Sequence, residues 1–173
     1  MPSKQNEGYP FHFLGRFKPD GRELFRYVFV STYTNKKYIV EFEVFPNELY
    51  GMKFYLNDYK KSKKRFKMLT NFGEARPVFR TLVAIGVDFA ERMPMCSIVF
   101  VGENKVGEDK CNTQRYRIYK MLVANTISDM LFTHVVLDEQ SAYLLVNKQV
   151  PDTDRYLLWV KEYMVATYSD FSE

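Results

Sequence analysis

Cysteine is scarce in this sequence: Cys96 and Cys111 are the two among 173 residues. Two thiols cannot supply a disulfide framework and suit a reducing compartment, which excludes a small disulfide-stapled secreted scaffold. No apolar run approaches the roughly 18 residues that a membrane-spanning helix requires. The opening stretch from Met1 to Gly8 is polar and lacks the apolar core of a secretory signal. Histidine is nearly absent, and His12 and His134 each stand alone, without the spacing of a metal centre or a catalytic triad. Repeats, low-complexity tracts and a dividing linker are missing as well. These absences lead us to expect one cytoplasmic domain with no metal and no cofactor, and with no complete catalytic signature.

What is abundant is apolar and aromatic. Apolar residues make up 46% of the chain and aromatics 17%, with 15 Phe and 13 Tyr, enough to build a core and to exclude wholesale disorder. Charge is uneven. The formal net charge is +4, yet Lys60, Lys61, Lys63, Lys64, Arg65 and Lys67 place six positive charges in one short window, and the rest of the chain sums to −2. The basicity is local.

Residues 1–21, with Gly8, Pro10, Gly15, Pro19 and Gly21, read as an irregular leader. Its Phe11, Phe13, Leu14 and Phe17 are too apolar for a free tail, so part of it packs on a single domain spanning residues 22–173. From Glu23 the apolar period changes to two. Leu24–Thr32, Lys37–Phe45 and Tyr50–Asn57 are expected as three strands of an antiparallel meander. In the second, Tyr38, Val40, Phe42 and Val44 share one face, while Ile39, Glu41, Glu43 and Phe45 share the other. A basic loop follows, with a possible short strand over Arg65–Leu69. Val78, Leu82, Ile85 and Phe89 then recur at helical spacing. The apolar run Cys96–Val101 suits a buried central strand. A charged loop over 102–111 leads to Asn112 or Thr113, either of which can cap a second helix with Tyr116, Tyr119 and Leu122 or Val123 on one side. A hairpin over Thr133–Leu137 and Ala142–Asn147 and a last helix from Pro151 to about Tyr168 complete a mixed α/β (α+β) layout, an antiparallel meander followed by β-α-β-α-β-β-α.

That order resembles the GNAT family of N-acetyltransferases, and two segments carry the likeness. Thr70-Asn71-Phe72-Gly73-Glu74-Ala75 looks like the family's Q/R-x-x-G-x-G/A loop, with Thr70 in place of Gln or Arg. Asn112 and Tyr119 match its N-x-x-A-x-x-x-Y stretch, with Arg115 in place of the alanine. The resemblance implies coenzyme A binding by Gly73, Ala75, Asn112 and Arg115 at a helix start, and Tyr119 as general acid. Arg115 would either crowd the coenzyme channel or answer its phosphates. Thr70, Gly73, Ala75, Val78, Phe79, Thr81 and Leu82, with Ile98–Val101, Arg115 or Arg117 and Tyr119, are also similar to a pattern in uncharacterised bacteriophage-encoded proteins.

Several residues carry candidate chemistry of their own. The lysine-rich window, with Tyr59 and Phe66 beside it, suits phosphate contact and base stacking or else a solvated loop. Together with Lys110, Arg115 and Arg117 it would form a basic rim. Glu41 and Glu43 are candidate bases or an ordinary solvent-facing pair. Glu74 would disfavour a bound pyrophosphate unless it points outward. Cys96 reads as a buried small hydrophobe, whereas Cys111 near Lys110 could be a reactive thiol. Tyr33, Tyr55, Tyr59 and Phe171 are candidates for an exposed protein-binding patch. The favoured expectation is a non-catalytic or degenerate GNAT-like phage or mobile-element accessory protein that binds a host protein or nucleic acid. Acetyl-CoA-dependent N-acyl transfer and a virion or assembly role are the alternatives.

Overall fold

Alternating apolar residues seek one buried face, and an interior strand satisfies its backbone by pairing on both sides, whereas an edge strand leaves one side to solvent. Lys37–Phe45 alternates and pairs on both sides at the centre of a four-strand meander. The computed structural model describes residues 8–67, 73–101 and 112–167. Strands β1 (Phe11–Phe17), β2 (Leu24–Val30), β3 (Lys37–Phe45) and β4 (Leu49–Leu56) run antiparallel in chain order. Helix α1 (Ala75–Arg92) then returns the chain to β5 (Ser97–Val101), which lies parallel to β4. Helix α2 (Gln114–Thr126), the hairpin β6 (Phe132–Leu137) and β7 (Ala142–Asn147), and helix α3 (Thr153–Thr167) complete the chain. The seven strands form one sheet in the order β1-β2-β3-β4-β5-β7-β6, with β4–β5 its one parallel pair. The fold is mixed α+β. Among the described residues no helix is long and apolar enough to cross a membrane.

Two cores divide the sheet. On one face, α1 and α2 cover Tyr27, Tyr38, Val40, Phe42, Met52 and their neighbours, and the stripe Val78, Leu82, Ile85 and Phe89 is buried there. Phe89 stacks on Phe42 with ring centroids 3.9 Å apart, and Phe29 stacks on Tyr38 at 4.8 Å. On the opposite face α3 packs Val160 over Val99, Leu144 and Val146, together with Phe45 and Leu49. Cys96 lies in the first core, and burial pushes its thiol up to about 12.

The irregular leader expected over residues 1–21 is corrected in part, because Phe11–Phe17 is an edge strand. Its Phe11 and Phe13 pack on the first core, whereas Leu14 and Phe17 stay exposed. Gly15, at φ 112, takes a backbone conformation that side chains resist, and the pairing register shifts between Phe13 and Gly15. A glycine read from sequence as a break thus permits a bulge. The possible strand from Arg65 is likewise a short 3-10 turn over Arg65–Lys67.

Candidate functional site

Strand direction gathers the informative loops at one end of the sheet. β4 and β5 point their carboxyl ends the same way, so the segment 57–67 and the N-termini of α1 and α2 meet there. The antiparallel pairing of Tyr38 with Leu56 and of Phe11 with Phe29 brings the β2–β3 turn and Tyr9 to the same end.

Glu74 is the centre of this region. It immediately precedes α1 and is 2% exposed. Its carboxylate accepts hydrogen bonds from the hydroxyls of Tyr38 at 2.8 Å, Tyr9 at 2.9 Å and Thr34 at 3.1 Å, and from that of Ser31. A buried carboxylate is costly without partners, and four hydroxyl donors supply them. Burial, reinforced by the Glu74 carboxylate, raises the Tyr9 phenol above its ordinary value. The outward orientation that a pyrophosphate beside Glu74 would require is not adopted. The same network fixes the β2–β3 turn. Ser31 Oγ accepts from the backbone N–H of Tyr33 at 3.1 Å and of Thr34 at 3.0 Å. Ser31 N–H donates to the Lys36 carbonyl at 2.9 Å. Asn35 sits at φ 58, a conformation that asparagine tolerates well.

The basic segment packs beside that turn. Lys36 Nζ lies 2.8 Å from Asp58 Oδ2, which ties the turn to residues 57–59. Lys60, Lys61, Lys63 and Lys64 are exposed, and among the described residues none of the four forms an ion pair. Arg65 and Phe66 turn back onto the sheet. The Arg65 guanidinium lies 5.2 Å from the Tyr55 ring centroid and 4.6 Å from that of Phe66, and Phe66 meets Tyr55 edge-on at 5.4 Å. Tyr55 is buried and Tyr59 packs on the first core, so neither belongs to an exposed aromatic patch. Tyr33 is 72% exposed.

Helix α2 supplies the remaining wall. The Thr113 side chain caps it, accepting from the Tyr116 N–H at 3.2 Å, a bond worth about 1 kcal/mol. Arg115, expected at a coenzyme channel, is 8% exposed and donates to the Phe66 carbonyl, with its guanidinium 5.0 Å from the Phe54 ring centroid. Tyr119, expected as a general acid, is 2% exposed. Its ring packs 5.0 Å from Phe79 and 5.6 Å from Phe100. Asn112 is exposed at φ 51, and its carbonyl accepts from the exposed Arg117. Gly73 at φ 68 and Ala75 are exposed at the α1 start. Lys67 closes the 3-10 turn. Thr70, Asn71, Phe72, Lys110, Cys111 and Phe171 lie outside the described residues.

Other candidates fall elsewhere. Glu41 is not solvent-facing. It is 7% exposed and paired with Arg26 at 2.9 Å, and it accepts from the Tyr55 hydroxyl at 3.2 Å. His134, isolated in sequence, has Nδ1 2.6 Å from the Tyr143 hydroxyl and Nε2 3.2 Å from Asp129 Oδ1. A cleft of about 410 Å³ opens between Asn47 and the first turns of α3, with Tyr156 and Trp159 on its wall; no sequence-predicted site residue lines it. Sequence reasoning also missed the hydroxyl ring around Glu74. Its members stand at positions 9, 31, 34 and 38, and only tertiary folding brings them together.

Sheet order and site together define a single-sheet α+β protein whose distinguishing end combines a buried carboxylate nest with an exposed lysine loop. Residues 12–150 match the family described as Family of unknown function (DUF6934), and the chain belongs to that family. No curated protein and no solved structure matches it.

Proposed function

We propose that the protein is a non-catalytic binding protein on a GNAT-like frame, of the phage or mobile-element accessory kind, acting on a polyanionic partner through the basic end of its sheet. Arg115 carries this reading. Its guanidinium is committed to the Phe66 carbonyl and to the Phe54 ring, which supports a packing role over one of answering coenzyme phosphates. It also holds the lysine loop against the helix. Glu74 strengthens the reading, because a buried carboxylate next to the α1 start repels a pyrophosphate at that helix terminus. These residues do not fit coenzyme A. Tyr119 is 2% exposed, with its ring packed among Phe54, Phe79 and Phe100, as a core residue would be. The lysines, which form no ion pair among the described residues, offer a positive surface for phosphates.

One observation favours a second reading, N-acyl transfer. The order β4-β5-β7-β6, with α1 connecting the one parallel pair, is similar to the acetyltransferase layout.

Thermal unfolding with 1 mM coenzyme A or acetyl-CoA separates the two. A site with Kd of about 10 µM would stabilise the native state by roughly 2.7 kcal/mol. That corresponds to a midpoint rise of roughly 5–11 °C for a chain of this size. The binding reading expects no rise. It also expects a fluorescent oligonucleotide to bind with an affinity that falls steeply with salt. A clear rise with coenzyme would overturn it in favour of acyl transfer.

A further inference from the structure

The lysine loop alone would attract any polyanion, but its neighbour narrows the class. Nucleic acid offers two features to a surface, charged phosphates and flat bases, and bases present their faces only where strands are unpaired. Of the aromatics expected to stack, Phe66 is committed to Arg65 and Tyr55, and Tyr59 packs on the core. Tyr33 is exposed, and the backbone of the turn that carries it is held in place. The Tyr33 N–H donates to Ser31 Oγ, and Ser31 and Thr34 both donate to the buried Glu74. Three residues later, Lys36 pairs with Asp58, and two residues beyond Asp58 the exposed lysines begin. A turn backbone fixed before binding leaves only the rotamer freedom of the exposed ring to be lost on stacking. The Lys36 pairing also neutralises Asp58, the acidic residue of this segment.

We propose that this turn and the lysine loop form one platform for single-stranded nucleic acid, with Lys60, Lys61, Lys63 and Lys64 against phosphates and a base stacked on Tyr33. The inference rests on the basic-end reading above and goes beyond it by naming unpaired strands and the stacking residue. The Glu74 nest becomes the positioning device for the platform, which explains a four-donor carboxylate at a site without catalysis.

Fluorescence anisotropy of the full chain tests it, with a labelled thymidine 12-mer, a duplex of equal length, inorganic polyphosphate and polyglutamate. The expected result is preference for the single strand and a log–log salt slope of about −3, since each of four neutralised phosphates contributes roughly −0.7. Tyr33→Ala should weaken the 12-mer about tenfold and leave polyphosphate binding unchanged, while Tyr33→Phe retains affinity. Replacing the four lysines by serine should abolish binding to both. Equal binding of duplex and single strand, with Tyr33→Ala silent, would overturn the platform and leave the basic-end reading standing. Tighter binding of polyglutamate than of the oligonucleotide would point to an acidic protein partner and also overturn it. No binding to any polyanion would remove both.

Discussion

The Tyr38 hydroxyl donates to the Glu74 carboxylate at 2.8 Å, joining the first residues of β3 to the residue that opens α1. Three further hydroxyls complete the ring, so the bond is part of a closed arrangement in which every donor comes from a different turn or strand position. Glu74→Ala leaves four buried or half-buried hydroxyls without their acceptor. The expected loss of stability is about 3 kcal/mol or more, read as a lower urea midpoint with unchanged slope. Glu74→Gln keeps an acceptor and should cost clearly less. Equal midpoints for wild type and Glu74→Ala would contradict the assignment.

Phe89 stacks on Phe42 and meets Tyr50 edge-on at 5.0 Å and Phe25 at 5.5 Å. Phe89→Ala removes the ring at the centre of that cluster and is expected to cost about 3–5 kcal/mol. The melting midpoint should fall by roughly 10 °C or more. Phe89→Leu, which refills part of the space, should recover much of the loss.

The Cys96 thiol is buried, and its raised pKa leaves almost no thiolate at pH 8. In a Cys111→Ser background, a disulfide-exchange reagent at that pH should find no reactive thiol in the native protein. After denaturation it should find one. Rapid native labelling would show that the segment leading into β5 opens readily.

Asp88 accepts from the Tyr27 hydroxyl at 2.7 Å and pairs with Arg92 at 2.8 Å. Burial opposes its ionisation, but the bonds from Arg92 and Tyr27 outweigh it and hold the carboxyl below its ordinary value. A depressed carboxylate contributes stability that is fully present above the unfolded value near 4 and is lost as pH falls through the lower folded value. Asp88→Asn should therefore lower stability at neutral pH and flatten the acid limb, and the difference from wild type should shrink as the pH falls below the unfolded value of about 4. Parallel acid limbs for the two proteins would contradict the account.

Local periodicity made most of the architecture legible. Val78, Leu82, Ile85 and Phe89 announce α1 because a helix repeats its face every three or four residues, and the alternation from Lys37 to Phe45 announces β3 for the corresponding reason. Thr113 was readable as a cap because capping is a contact over three residues. The edge strand Phe11–Phe17 was hidden by Gly15, whose bulge role depends on a neighbour strand. The site was legible only in its charge. That Lys60–Lys64 is exposed follows from composition, but the Glu74 ring, the Arg26–Glu41 pair and the inward turn of Arg115 join residues from separate elements. Nothing in the spacing of such residues encodes the contact. Arg115 departs from the coenzyme pattern in the sequence itself, but its partner, the Phe66 carbonyl, is a backbone atom that no sequence motif can specify.

The parallel pairing of β4 with β5 spans four residue pairs, Leu49–Met52 against Ser97–Phe100. All ladder bonding between the meander and the β5-β7-β6 half of the sheet passes through that short seam. Helix α1 lies across it like a splint, with Phe89 against Phe42 and Tyr50 on one side and Gly86 beside the Phe100 ring on the other. Continuity between the two halves therefore depends as much on one helix face as on the strands themselves. A Cβ at position 86 would meet the Phe100 ring at 3.7 Å, an ordinary contact, so a methyl there would extend the splint's grip without lifting it.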